Sequence, residues 1–100
     1  MVEVSVEPRW LIFCLPDCNY CEQAKALLGM NGVIYTEADA SQEIDFGVCA
    51  EMMGSVNPAT FPQIFHDGNH IGGYVELKAL IDNGEINNYE HSKPVETVDE

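Results

Sequence analysis

The feature that most constrains this chain is the run Trp10-Leu11-Ile12-Phe13-Cys14-Leu15, closed by Pro16 and followed at once by Asp17-Cys18-Asn19-Tyr20-Cys21. Six consecutive apolar side chains, most of them large, read as a buried strand. Pro16 ends it, because proline cannot donate to a ladder and restricts the residue before it. Beyond the turn the period changes: Ala24, Leu27 and Leu28 fall at i, i+3, i+4 spacing, with Glu22 and Lys25 between them, which is the pattern of an amphipathic helix. The two thiols Cys18 and Cys21 therefore stand where a strand gives way, through a turn, to the start of a helix.

That position has a chemical consequence. The free N–H groups and the positive dipole end of a helix favour negative charge, and the thiolate is the nucleophilic form of cysteine. Two intervening residues let both sulfurs meet within one turn, so that a second thiol can resolve a mixed disulfide made by the first. Cys18, at the helix start, is assigned as nucleophile and Cys21, one turn in, as resolving thiol. The residues point to thiol–disulfide exchange.

The remainder of the chain supplies a frame for such a site. Gly29 and Asn31-Gly32 offer helix-ending and turn chemistry, and the β-branched and aromatic stretch Val33-Ile34-Tyr35-Thr36 reads as a second strand. A second helix is expected to be capped by Asp39 or Ser41, with Asp39-x-x-Gln42 as a capping box. It would carry Ile44, Val48 and Met52 along one face, with Gly47 weakening its middle. Gln63-Ile64-Phe65-His66 reads as a third strand, Asp67-Gly68 as a hairpin turn, and His70-Ile71 as the return strand. Gly72-Gly73 then breaks the pattern before a third helix from Tyr74 to Asn83, with Leu77, Leu80 and Ile81 on one face. The order is β-α-β-α-β-β-α. A helical crossover makes the first two strands parallel and a two-residue turn makes the last two antiparallel, so the fold class is α/β with a mixed four-stranded sheet flanked by helices.

One hundred residues suit one domain. The first nine residues show no basic leader and Trp10 to Leu15 is too short for a signal or membrane segment, so a cytoplasmic protein is expected. Four cysteines in a reducing compartment point to catalysis or metal binding rather than structural bridges. A net charge of −13 with four Lys and Arg residues argues against nucleic acid and anionic membranes as partners. Beyond Gly84, Glu85, Glu90, Glu96, Asp99 and Glu100 outnumber Lys93, and an acidic tail over 85–100 is expected to fray.

Three stretches together resemble a dithiol glutaredoxin of the thioredoxin fold: Cys18-Asn19-Tyr20-Cys21, Thr60-Phe61-Pro62-Gln63-Ile64-Phe65, and Asp67-Gly68-Asn69-His70-Ile71-Gly72-Gly73-Tyr74-Val75-Glu76-Leu77. They stand in the family's order and spacing. The resemblance implies a glutaredoxin domain over 1–84, with its core over about 9–84. It implies a cis bond between Phe61 and Pro62, turning the Phe61 backbone toward a peptide-like substrate. It also implies glutathione as co-substrate with no metal. The glutathione site would comprise Tyr20, Phe61, Pro62, Gly73, Tyr74 and Val75, the N–H groups of Tyr74 and Val75 holding the γ-glutamyl carboxylate. The partners it implies are glutathione and disulfide-bearing proteins, ribonucleotide reductase among the candidates, for a monomer that serves redox homeostasis and electron transport.

The departures from the family pattern bear on charge. Leu15 stands where a lysine is common three residues before the nucleophile, and Asn19 where proline is common. Asp17, directly before Cys18, opposes a thiolate. Val75 replaces an acidic residue, with Glu76 one position on. These changes give weight to an alternative, a thioredoxin-like hydrogen donor reduced by a flavin reductase. A reading from another class takes the thiols as ligands of a metal or iron–sulfur cluster. Cys14, four residues before Cys18, fits such a motif by spacing, and His66 or His70 could complete a zinc site. The second thiol, Cys21, and the lack of a further ligand pair argue against it. Cys14 reads as a buried small hydrophobe, and Cys49, His66, His70 and His91 as ordinary positions.

Overall fold

The structure, a computed structural model, describes residues 9–85. The elements run β1 (Trp10–Cys14), α1 (Asn19–Met30), β2 (Tyr35–Asp39), α2 (Glu43–Met52), β3 (Gln63–His66), β4 (Asn69–Gly72) and α3 (Tyr74–Asp82). The sheet order is β2-β1-β3-β4. β1 and β2 are parallel, while β1–β3 and β3–β4 are antiparallel, the mixed sheet expected from the connections. Apart from Glu85, the acidic tail, His91 included, lies outside the described residues, and so do residues 1–8.

β1 is apolar throughout because both faces of the sheet are covered. Alternation along the strand sends Trp10, Ile12 and Cys14 into one cluster with Cys21, Ala24, Leu28 and Leu77 from α1 and α3. Phe13 goes to the other side, with Cys49 of α2, Ala40 and Phe65. At the foot of the sheet Trp10 pairs in register with His66 and the two rings stack, 4.2 Å between centroids. Asp67 and Gly68 both take positive φ, 54° and 83°, as a two-residue hairpin turn of the Asp-Gly type requires. Asp67 also accepts two hydrogen bonds from the Arg9 guanidinium.

Two elements differ from the expectation. The second strand occupies Tyr35–Asp39 rather than 33–36. Val33 is spent on ending α1: its N–H donates to Leu28 O at 3.0 Å and its side chain is buried, so pairing begins only at Tyr35 opposite Trp10. Carried on to Asp39, the strand is a charged edge, with Glu37 reaching Lys25 of α1, and charge is how natural sheets protect an edge.

The second helix has a different cap and a different face. Asp39 Oδ1 accepts from the Ser41 N–H and hydroxyl at 2.9 and 2.6 Å, closing a local turn instead of capping the helix, whose N-cap is Gln42 without a side-chain bond. Ile44 and Val48 face solvent, 80% and 43% exposed. Cys49 is buried in their place and Phe46 meets Phe61, with centroids 6.4 Å apart. Phe46, Cys49, Ala50 and Met53 fit the helical period as well as Ile44, Val48 and Met52 do. The larger ring takes the covered side.

Candidate active site

The turn Leu15-Pro16-Asp17 carries the chain from β1 into α1, with Asp17 at φ 60°. Cys18 is the N-cap of α1, in extended backbone, and its sulfur accepts from the Cys21 N–H at 3.2 Å. A sulfur in the N-cap position satisfies one of the helix's orphan donors, and that donor favours negative charge on it. Cys18 and Cys21 form a disulfide, their Cα atoms 5.2 Å apart. Cys18 is half-buried, whereas Cys21 is wholly buried. Cys18 is therefore the more accessible of the two sulfurs.

Opposite the disulfide, the Phe61–Pro62 bond is cis and Phe61 O lies 3.6 Å from Cys18 Sγ. A groove of about 200 Å³ opens beside it, lined by Tyr20, Thr60, Phe61, Pro62, Gly73, Tyr74, Val75 and Glu76. Tyr20, Phe61, Pro62, Gly73, Tyr74 and Val75, the six residues named from the sequence, all line this groove. Tyr20 and Tyr74 meet across it with ring centroids 5.7 Å apart. Thr60 and Glu76 also line it, without having been named as site residues. The signal for Thr60 was its place beside Phe61 in the Thr-Phe-Pro stretch.

Glu76 has a local task. Its Oε1 accepts from the Gly73 N–H at 2.8 Å, and this bond, with its own backbone N–H, holds its carboxyl below the usual carboxylate range. The N–H groups of Tyr74 and Val75, in the first turn of α3, have no intrahelical acceptor and remain available to an anion. Gly72, at φ 129°, passes so near that a Cβ there would lie 2.7 Å from Glu76 Cγ, and a Cβ on Gly73 would lie 3.3 Å from Pro62 O. Two glycines let the strand cross into the helix at this distance from the cis-proline loop.

On the other side of the disulfide, Leu15 is 37% exposed and shares a cleft with Pro16, Glu22, Lys25, Glu37 and Asp39. Lys25 does not stand in for a lysine at position 15. It is held by Glu37 at 2.9 Å and Glu22 at 3.1 Å, bonds that raise its pKa. Arg9 and Lys78 are likewise in ion pairs, with Asp67 and Asp82. Cys14 and Cys49 are buried free thiols. Burial, aided by the charge of Glu37, pushes Cys14 up to about 12, and burial pushes Cys49 up to about 11. His66 stacks on Trp10 and His70 bonds to Gln63. Among the described residues no group of three or more His, Cys, Asp and Glu side chains gathers as a metal site, and no helix is long and apolar enough to cross a membrane.

Comparison with known proteins gives the same assignment as the geometry. Residues 11–71 match the family model described as Glutaredoxin. The chain is similar to glutaredoxin 1 of Rickettsia bellii (strain RML369-C), 36% identical over 86 residues, covering 84% of this chain and 88% of the relative. The solution structure of a glutaredoxin from Brucella melitensis superposes with a TM-score of 0.64 at 39% identity, covering 79% of this chain and 84% of that one. The crystal structure of a buckwheat glutaredoxin–glutathione complex shares the fold, with a TM-score of 0.68 at 24% identity, covering 87% and 78%. With a paired-cysteine site at the start of α1, on a sheet of this topology, the chain belongs to the glutaredoxin family of thiol–disulfide oxidoreductases.

Proposed function

We propose that this glutaredoxin uses glutathione as its reductant and acts on protein disulfides and on glutathione mixed disulfides. The observation that carries the reading is the groove: Tyr20, Phe61, Pro62, Gly73, Tyr74 and Val75 line one cavity beside Cys18. A cysteinyl tripeptide bound there would lay its backbone along Phe61 and its γ-glutamyl carboxylate at the N–H groups opening α3.

In the exchange itself, the Cys18 thiolate attacks a substrate disulfide. A Cys18–substrate disulfide forms, the substrate S–S bond breaks, and the displaced sulfur leaves as a thiolate that takes up a proton. For a protein disulfide, the Cys21 thiolate then attacks the Cys18 sulfur and releases the second substrate thiol, leaving the Cys18–Cys21 disulfide. One glutathione thiolate opens that bond at Cys18 to give a Cys18–glutathione disulfide. A second glutathione attacks the bound glutathione sulfur, so that two glutathiones leave as one oxidised dimer and both cysteines end reduced. The Cys21 N–H, pointing at Cys18 Sγ, stabilises the sulfur each time it becomes a thiolate.

A second reading keeps the same chemistry but takes electrons from a flavin reductase. Leu15 favours it, because this position offers the glycine carboxylate of glutathione no cation, and Lys25 is committed to Glu22 and Glu37. Incubating Cys21→Ser with oxidised glutathione, weighing the intact protein and timing its reduction by reduced glutathione separates the two. A single adduct on Cys18, released faster than from a free cysteine, supports glutathione. No adduct, or release at the free-thiol rate, supports the hydrogen-donor reading.

A further inference from the structure

Behind the groove lies a buried polar contact that the exchange chemistry does not use. Gln63 is the single buried polar side chain among the described residues, 7% exposed. Its Nε2 donates to Thr60 O at 2.8 Å and reaches Thr60 Oγ1 at 3.4 Å. That orientation turns Oε1 toward His70 Nε2, 2.6 Å away. An amide oxygen only accepts, so Nε2 of His70 carries the proton and donates. His70 itself lies against Phe65, with ring centroids 4.9 Å apart and the rings tilted by 30°.

Of the three residues Thr60 lines the groove, and Gln63 and His70 lie behind it. Thr60, Phe61 and Pro62 form one wall. β4, which carries His70, runs through Ile71 and Gly72 into Gly73, Tyr74 and Val75, which form the other. The Gln63 amide is thus a strut between them, anchored at the residue just before Phe61.

The placement of Phe61 matters to the nucleophile. Its carbonyl oxygen lies 3.6 Å from Cys18 Sγ, where it accepts from a thiol and repels a thiolate, while the Cys21 N–H at 3.2 Å does the reverse. A hydrogen bond to the neutral form disfavours ionisation and one to the charged form favours it. The acidity of Cys18 therefore depends on how firmly that carbonyl is kept beside it.

We propose that Gln63, oriented by His70, is a positioning residue: by holding Thr60 it fixes the Phe61 carbonyl beside Cys18 and so sets the reactivity of the Cys18 thiol. The proposal rests on the exchange role of Cys18 and not on glutathione, so its test uses no glutathione.

The test titrates the thiolate absorbance of reduced protein in a Cys21→Ser background, where Cys18 is the one thiol outside the core. Gln63→Met keeps the side-chain length without adding charge but has no N–H for Thr60. His70→Phe keeps a ring against Phe65 but has no donor for Gln63. Both are expected to lower the Cys18 pKa by about 0.5 unit or more as the carbonyl loosens. His70→Gln, which restores an N–H donor, is expected to return the pKa to within about 0.2 unit of the parent. Leu28→Ala, a core truncation at the far end of α1, is the control for stability alone. A pKa unmoved in both Gln63→Met and His70→Phe overturns the proposal, and so does an equal shift in Leu28→Ala. Should Gln63→Met fail to fold, the exposed position of His70 leaves His70→Phe and His70→Gln to decide.

Discussion

The backbone N–H of Cys21 donates to the Cys18 sulfur across 3.2 Å, while the Cys21 side chain is wholly buried behind it. One residue thus performs two tasks. Its main chain donates to the Cys18 sulfur, and its side chain is withheld from every partner except Cys18. Replacing the Cys21 thiol is therefore expected to leave a variant that still forms an adduct on Cys18, since the N–H survives the change.

The same burial makes the remaining thiols inert. Cys14 and Cys49 are pushed up to about 12 and about 11, so reduced native protein treated with iodoacetamide at pH 8 is expected to be labelled at Cys18 and not at either of them. Intact-mass and peptide mapping check this; label on Cys14 in the folded state would sink it. Burial of these thiols also makes stability depend on pH. Unfolded, both thiols ionise near 9.0, and folded they keep their protons. Above pH 9 the unfolded chain therefore binds fewer protons, and stability falls as pH rises from about 9 toward 11 and 12. Urea unfolding at pH 7, 9 and 10.5 reads the effect, and Cys49→Ala should flatten the decline.

Asp17 tests the electrostatics in front of the nucleophile. A charge about 7 Å from another in water costs about 0.6 kcal/mol, or about 0.4 pKa unit. Asp17→Asn is expected to lower the Cys18 pKa by about that much at low salt, and by less in 1 M salt as screening removes the term. Thiolate titration at the two ionic strengths is the measurement. A rise on neutralising Asp17 would show that the carboxylate acts otherwise than by charge.

Leu15→Lys places a cation at the turn before the nucleophile, where the resemblance to glutaredoxins led one to be expected. An added charge at about 4 Å from a carboxylate in water contributes about 1 kcal/mol, so KM for glutathione in the reduction of a mixed disulfide is expected to fall about fivefold. Leu15→Met, which keeps the apolar side chain, should leave it unchanged. An unaltered KM in Leu15→Lys would mean that glutathione does not place its carboxylate near this turn, and would favour the hydrogen-donor reading.

Two glycines should respond in opposite directions to alanine. Gly72 sits at φ 129°, and a Cβ would lie 2.7 Å from Glu76 Cγ, so Gly72→Ala is expected to cost about 2 kcal/mol and to disturb the groove wall. Gly47 lies inside α2 with nothing within 4 Å of the place an added methyl would take, and Gly47→Ala should stabilise by about 0.5–1 kcal/mol. Chemical denaturation of the two variants beside the parent decides both.

The sequence by itself determined the elements that punctuation and period define. Pro16 and the change of spacing after it located β1 and α1, Asp67-Gly68 the hairpin, Gly72-Gly73 the entry to α3, and the Cys18–Cys21 spacing the chemistry. These are local effects, because each residue dictates the backbone within a turn or two of itself. Residues far apart in the chain met where only the tertiary structure brings them: Phe61 O beside Cys18, and six groove residues in one cavity. The face of α2 was decided there too. Two apolar stripes fit the helical period equally, and packing of Phe46 near Phe61 and of Cys49 in the cluster with Phe13 and Phe65 chose between them, leaving Ile44 and Val48 outside. β2 began at Tyr35 because closing α1 took the Val33 N–H first. Period and spacing state what a segment can bury; which neighbour it is buried against is a property of the assembled sheet.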